Sequence, residues 1–283
     1  MSVALIQERL AAYDYTSTVE EDRAVREITQ EVVLAALART DFFRHAAFQG
    51  GTCLRILHGL TRFSEDLDFA LQSPDPGFRL EPYLPIIGRE MAAYGYDIEF
   101  VDRSRVDEAV RTAFLKDDSL GDLLQLRYRP TTGPARMIRI KLEVDTNPPP
   151  GGTFETRYID FPFPQATVAH DPPSLFAGKL HAVLCRRYLK GRDWFDFIWY
   201  TARRTPVNYR LLGSALAQTG PWAAAIDRVD RDWCLRALAS KIESIDWSRA
   251  REDVRAFVRT ADLPSLDVWG RDFFLGQAAK LAG

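Results

Sequence analysis

The sequence predicts an α/β fold, a sheet with flanking helices over residues 1–170, followed by an all-helical part over residues 171–283. Three observations predict it. A strand, glycine turn and helix unit surrounds Gly50-Gly51-Thr52. The run from Met137 to Asp145 alternates strictly between apolar and polar residues. Beyond Asp171-Pro172-Pro173 the apolar residues recur at helical spacing instead. At 283 residues the chain is long enough for one large domain or two ordinary ones, each with its own core.

Taken in order, the first 45 residues contain neither glycine nor proline, and Val25, Ile28, Val32, Val33 and Leu37 recur at helical spacing, so the chain opens on helices. Ala46 to Gln49 reads as a short strand. Gly50-Gly51-Thr52 follows as a turn, and Leu54, Ile56 and Leu57 form a two-turn helix stopped at His58-Gly59. Leu67 and Phe69 alternate with Asp66 and Asp68 in a strand that ends at Ser73-Pro74-Asp75-Pro76-Gly77. Leu80 to Tyr94 predicts a helix with prolines in its opening turns, Tyr96 to Val101 a strand, and Leu123 to Tyr128 another. In Met137 to Asp145, Met137, Arg139, Lys141, Glu143 and Asp145 share one face and Ile138, Ile140, Leu142 and Val144 the other. Pro148-Pro149-Pro150-Gly151-Gly152 stops that strand, and a second extended stretch runs through Phe161 to Val168. From Asp171 a capping residue, prolines near the first turn, and Leu175, Phe176, Leu180, Val183 and Leu184 mark the start of the helical part.

Composition narrows the function classes. Hydrophobic residues at 46% and charged residues at 27% exclude a wholly disordered or fibrous chain. With 37 basic against 39 acidic residues the formal charge is -2, so any nucleic acid must be held by local patches. Two such clusters exist. Residues 127 to 141 hold Arg127, Arg129, Arg136, Arg139 and Lys141 without an acid, and residues 186 to 204 hold six cations against Asp193 and Asp196. Solvated faces with internal ion pairs give the same pattern, so charge alone does not decide. Cys53, Cys185 and Cys234 form no CxxC pair, which points to a reducing compartment. No secretion signal opens the chain and no run of about 18 apolar residues occurs, so the expectation is a cytoplasmic protein away from the membrane.

Asp66-Leu67-Asp68 is the most informative short motif. On a strand both carboxylates project from one face, their Cα atoms about 6.6 Å apart at a rise of ~3.3 Å per residue. Two uncompensated carboxylates about 7 Å apart repel by roughly 2–3 kcal/mol at an effective dielectric near 20, so a cation or arginine is needed nearby. Arg55 and Arg62 are candidates, and Mg²⁺ commonly takes one or two carboxylates plus substrate phosphates. Glu143 and Asp145 lie on one face of the strongest strand and offer a third carboxylate, or a base for an attacking hydroxyl. Spacing does not choose between them, and Lys141 can neutralise either. Gly50-Gly51-Thr52, between a strand and a helix, lets backbone amides approach a phosphate closely. A plain tight turn needs the same residues, and neither a GxxxxGK[ST] nor a GxGxxG pattern is present here.

Gly50-Gly51-Thr52, thirteen residues, then Asp66-Leu67-Asp68 resembles the first motif of the DNA polymerase β-like nucleotidyltransferase superfamily. More closely, GGTCLRILHGLTRFSEDLDF, then KLEVD, then GKLHAVLCRRYLKGRDWFDF resemble, in order, the motifs of the AbiEii/AbiGii abortive-infection toxin family. The resemblance covers roughly residues 46 to 200 and implies a nucleotidyltransferase-type mixed sheet followed by helices. It implies Asp66, Asp68 and Glu143 as metal ligands, with Lys179 and Asp196 completing the catalytic set. It places Gly50, Gly51, Thr52, Arg62, Ser64, Lys179 and Asp193 around the nucleotide. The activity implied is metal-dependent transfer of a nucleoside monophosphate from an NTP to RNA, above all the tRNA 3′ acceptor end, with Mg²⁺ or Mn²⁺ as cofactor and a cognate antitoxin as partner. A protein or small-molecule acceptor, or a nucleotide-binding module without transfer, stand as alternatives.

Overall fold

The computed structural model describes residues 2–101, 119–128, 135–223 and 228–282. The chain divides into two compact units. The first comprises Met1–His58, Ser64–Pro148 and Thr156–Ala169, and the second Gly59–Phe63, Pro149–Glu155 and His170–Gly283.

Three helices lead into the sheet: α1 (Ser2–Ala11), α2 (Thr18–Ala38) and α3 (Phe42–His45). Ser17 caps α2 by accepting a hydrogen bond from the Glu20 amide at 3.2 Å. Every residue of α2 from Ile28 to Leu37 is buried, as expected of a helix at the centre of a core. The strands are β1 (Ala46–Gln49), β2 (Leu67–Leu71), β3 (Tyr96–Val101), β4 (Ser119–Tyr128), β5 (Arg136–Asp145), β6 (Phe154–Ile159) and β7 (Gln165–His170), with α4 (Gly50–His58) and α5 (Leu84–Ala93) between them. They lie in the order β3-β4-β5-β2-β1-β7-β6. The sheet is mixed: β2 runs parallel to β5 and antiparallel to β1, β1 runs parallel to β7, and β3, β4 and β5 are antiparallel neighbours.

Register sorts the side chains of the first unit onto two unlike faces. Phe48 pairs with Phe69, Leu67 with Leu142, Phe69 with Val144, Leu124 with Ile140 and Leu126 with Ile138, and all of them are buried. Each such side chain contributes about 1.5–3 kcal/mol of burial. Tyr96 lies on the same side, its hydroxyl 3.0 Å from that of Thr29 on α2. The other face carries Met137, Arg139, Lys141 and Glu143 of β5 with Asp68 of β2, none of them buried.

Helix α4 starts at Gly50, whose left-handed φ makes the glycine pair both the turn after β1 and the opening of the helix. One strand differs from the sequence expectation. Strand β6 went unforeseen because most of its residues, Phe154 and Tyr158 among them, are exposed and show no apolar alternation.

The second unit is helical: α6 (Pro172–Cys185), α7 (Gly191–Ala202), α8 (Tyr209–Gln218), α9 (Arg231–Glu243), α10 (Trp247–Arg255), a 3-10 turn at Thr260–Leu266 and α11 (Arg271–Ala278). Asp171 caps α6 by accepting from the Ser174 amide at 3.0 Å, with proline in the first turn. Its core is aromatic. Trp194 meets Trp247 and Phe274 edge-on at 5.0 and 5.2 Å, and Trp247 stacks on Phe274 at 4.1 Å. A Cβ at Gly191 would overlap the Ala250 carbonyl, so glycine there permits α7 and α10 to touch. No helix among the described residues is long and apolar enough to cross a membrane.

Candidate active site

In the first unit the acidic residues are set by strand register. Asp68 of β2 is the register partner of Glu143 of β5, and Ala70 that of Asp145. Partners on adjacent strands point to the same face, so the sheet brings Glu143, and not Asp145, beside Asp68. Asp145 instead accepts a hydrogen bond from the Asn147 amide at 3.0 Å and holds the turn that ends β5. Glu143 ion-pairs with Lys141, one of the two options the alternation left open. Asp66 precedes β2 by one residue, and its carbonyl accepts a hydrogen bond from the buried Thr52 hydroxyl. Ser64 lies just upstream, its carbonyl accepting from Gln30 at 3.3 Å.

Gly50 explains why this stretch needs glycine. Its φ of 79° lies in the left-handed region, and a Cβ there would overlap the Asp68 carboxylate. The first turn of α4, Gly50 to Thr52, therefore abuts the acidic face. Helix N-terminal amides lack intrahelical acceptors, and the helix dipole favours an anion there.

Lys179, Asp193, Asp196 and Arg62 belong to the second unit, where they form a buried charge network. Arg62 holds Asp196 with two hydrogen bonds, both 2.6 Å, and the side chains are 3% and 0% exposed. The Lys179 ammonium binds Asp193 at 2.7 Å and Asp196 at 2.8 Å, and Arg186 completes the set on Asp193. Burial alone would push both carboxyls up. Lys179 and Arg186 outweigh it at Asp193, holding that carboxyl at about 2, and Arg62 and Lys179 likewise hold Asp196 low. Lys179 is pushed up in turn: burial would lower it, but the two aspartates prevail. Arg62, read as a counter-charge or nucleotide contact, is thus committed to Asp196, and Arg55 of the first unit to Glu27. The sequence did not reveal the Arg62–Asp196 pairing, because 134 residues separate the partners.

The donor chemistry fits a hard divalent cation. Asp66, Asp68 and Glu143 offer only carboxylate oxygens, and the glycine at position 50 keeps space against one of them. No three His, Cys, Asp or Glu side chains converge as a cation site among the described residues. Mg²⁺ habitually takes one or two protein carboxylates and fills its shell with phosphate oxygens and water, which neighbouring Asp68 and Glu143 suit.

Of the basic cluster at 127–141, Arg129 lies outside the described residues, Arg136 pairs with Glu21 and Asp22, and Lys141 with Glu143. In the cluster at 186–204, Arg192 lies over the Phe257 ring and Arg203 over Trp199. Trp194, Phe197, Trp199 and Tyr200 are buried, as their helical spacing suggested.

A family model described as "Nucleotidyl transferase AbiEii toxin, Type IV TA system" matches residues 32–273. Two crystal structures from Helicobacter pylori are similar to the chain. One, of a protein provisionally described as a nucleotidyltransferase, has 18% identity, covers 90% of this chain and 89% of its own, and has a TM-score of 0.46. The other, of JHP933, has 17% identity, covers 94% and 90%, and has a TM-score of 0.47. A search of curated proteins finds no match.

Proposed function

Because the chain belongs to the AbiEii nucleotidyl transferase toxin family, we propose that it moves a nucleoside monophosphate from an NTP onto an RNA hydroxyl, foremost at the tRNA 3′ acceptor end. The observation that carries this reading is the pairing of Asp68 with Glu143 on the open face of parallel strands, with the first turn of α4 against Asp68. In the step, the acceptor oxygen forms a bond to the α-phosphorus, the bond to the bridging oxygen breaks, and pyrophosphate departs with that oxygen's electron pair.

Asp68 and Glu143, with Asp66 as the further ligand that the family likeness implies, would hold Mg²⁺ or Mn²⁺, which when bound neutralises triphosphate charge and makes the acceptor hydroxyl more acidic. The N-terminal amides at Gly50, Gly51 and Thr52 receive triphosphate oxygens. Glu143 accepts the hydroxyl proton, a role for which it must exchange its ion pair with Lys141. Ser64 keeps the place beside the nucleotide that the motif implies, whereas Arg62 is held on Asp196. Asp193 and Asp196 fix the Lys179 ammonium, which the family likeness assigns to phosphate charge. As a toxin, the protein would have a cognate antitoxin that relieves its effect on cell growth.

The test is direct. Purified protein with each labelled NTP, Mg²⁺ and total RNA is expected to label RNA, and Asp66→Asn to abolish labelling with an unchanged circular dichroism spectrum. Labelling that survives Asp66→Asn rejects the site. Label on protein or a small molecule replaces the acceptor, and NTP binding without pyrophosphate release replaces transfer with regulation.

A further inference from the structure

Two cavities in the second unit adjoin. One, about 390 Å³, opens among the end of α6, the loop at residues 186–190 and the link from α9 to α10. The other, about 440 Å³, lies along α9 beside Trp222. Lys241 and Ser244 line both, so the two hollows share a wall and together form the track.

The track is strongly positive. Arg186, Arg187, Lys190, Arg236, Lys241 and Arg249 line it against two acids, Asp193 and Asp246. Both carboxylates are already engaged. Asp193 binds Lys179 and Arg186, and Asp246 accepts from the Ser248 hydroxyl at 2.7 Å and from the Ser248 and Arg249 amides at 3.0 and 3.1 Å. Arg187 and Arg236 form no ion pair with a carboxylate among the described residues, while Lys190 and Arg249 lie in the fields of Asp193 and Asp246. In a chain of net charge -2, six cations against two acids over the two hollows form a local excess. Desolvation, then Arg186 and Arg192, push the Lys190 amine down to about 8 against the pull of Asp193.

Aromatic rings stand at both ends. Tyr188 is 64% exposed, with the Arg186 guanidinium 5.7 Å from its ring centre. Trp222 meets Trp233 edge-on at 5.4 Å, and both line the second cavity with Arg236. A basic groove with interleaved aromatic platforms is the chemistry that grips single-stranded nucleic acid, since phosphates neutralise the cations and bases of any identity stack on the rings.

We infer that this track binds single-stranded RNA, with backbone phosphates in the basic cavity and a base against the Trp222–Trp233 pair. The inference rests on the RNA-acceptor reading and adds which residues grip the strand.

Its test uses the full chain, a fluorescent single-stranded RNA bearing a free 3′ hydroxyl, and a fluorescent ATP analogue. Replacing Arg187, Lys190 and Arg249 together by alanine is expected to weaken RNA binding at least about tenfold. It should also flatten the slope of log affinity against log salt by about two, at ~0.7 per lost phosphate contact. Trp222→Ala should cost about fivefold or more. ATP-analogue binding and the melting temperature should stay at wild-type values. Should the triple variant misfold, Arg187→Glu, on an exposed side chain, should weaken RNA binding at least about threefold by itself. RNA binding unchanged in these variants, no RNA binding by the wild type, or loss of ATP-analogue binding in its place each overturns the track. Wild-type protein that needs these residues to bind RNA yet labels none upholds the track and defeats the transfer reading; undiminished RNA labelling and binding by the variants does the reverse.

Discussion

The two acidic regions of this molecule have opposite electrostatic fates. On the sheet, Asp68 and Glu143 are placed by main-chain register, and neither is buried. In the helical unit, Asp193 and Asp196 are 5% and 0% exposed and are bound by Arg62, Lys179 and Arg186. Register sets the first pair side by side, and Glu143 there keeps the partly exposed ion pair with Lys141. The second pair is positioned by its own counter-charges, and losing one leaves buried charge behind. Acidic residues are thus held by strand register in one place and by buried counter-charges in the other, and burial tells the two apart.

The sharpest way to break this comparison is to neutralise one acid in each region. Asp68→Asn should lower the initial rate of labelled-nucleotide incorporation by about 10³-fold or more, equivalent to about 4 kcal/mol, with the melting temperature within about 2 °C of wild type. Asp196→Asn should do the converse first. Urea unfolding should show a loss of about 3–5 kcal/mol, because Arg62 and Lys179 lose a buried partner. Equal stability losses in the two variants would erase the distinction.

Acid melts extend the comparison within the helical unit. Burial pushes the His170 imidazole down to about 4, against the pull of Asp171. Its folded value lies below the unfolded one of about 6.5, so the unfolded chain takes up the proton first. That contribution is complete above about pH 6.5 and is lost on falling towards pH 4, up to about 3 kcal/mol. Asp193, held at about 2, contributes about 2 kcal/mol that is complete above about pH 4 and lost as pH falls through 2. Thermal melts from pH 8 to 2 should therefore show two successive declines, and His170→Asn should flatten only the upper one. The smallest effect belongs to the sheet face. Lys141→Gln removes a partly exposed pair with Glu143 and should change the unfolding free energy by less than about 1 kcal/mol.

Much of the fold was legible because it obeys a local period. Strand β5 alternates over its whole length since one face is buried and the other is not, and α6 declares itself by Asp171, its prolines and its apolar stripe. Strand β6 was illegible for the complementary reason: with Phe154 and Tyr158 exposed, burial imprints no alternation on it. At the candidate site the acidic residues were readable as types and spacings. The choice of Glu143 over Asp145 as the neighbour of Asp68 was not, because it depends on the register of β2 against β5.

By itself, then, the sequence determined most element types, β6 excepted, the polar and apolar faces of β5 and the motif order that marks the family, since each depends on residues a few positions apart. Only the tertiary structure decided that Arg62 would meet Asp196, that Gly50 would make room for Asp68, and that loop 186–190 would line one hollow with Lys241 and Arg249. Such meetings join distant segments, and they are settled by how packed elements bury their apolar faces and not by any local preference of the residues that meet.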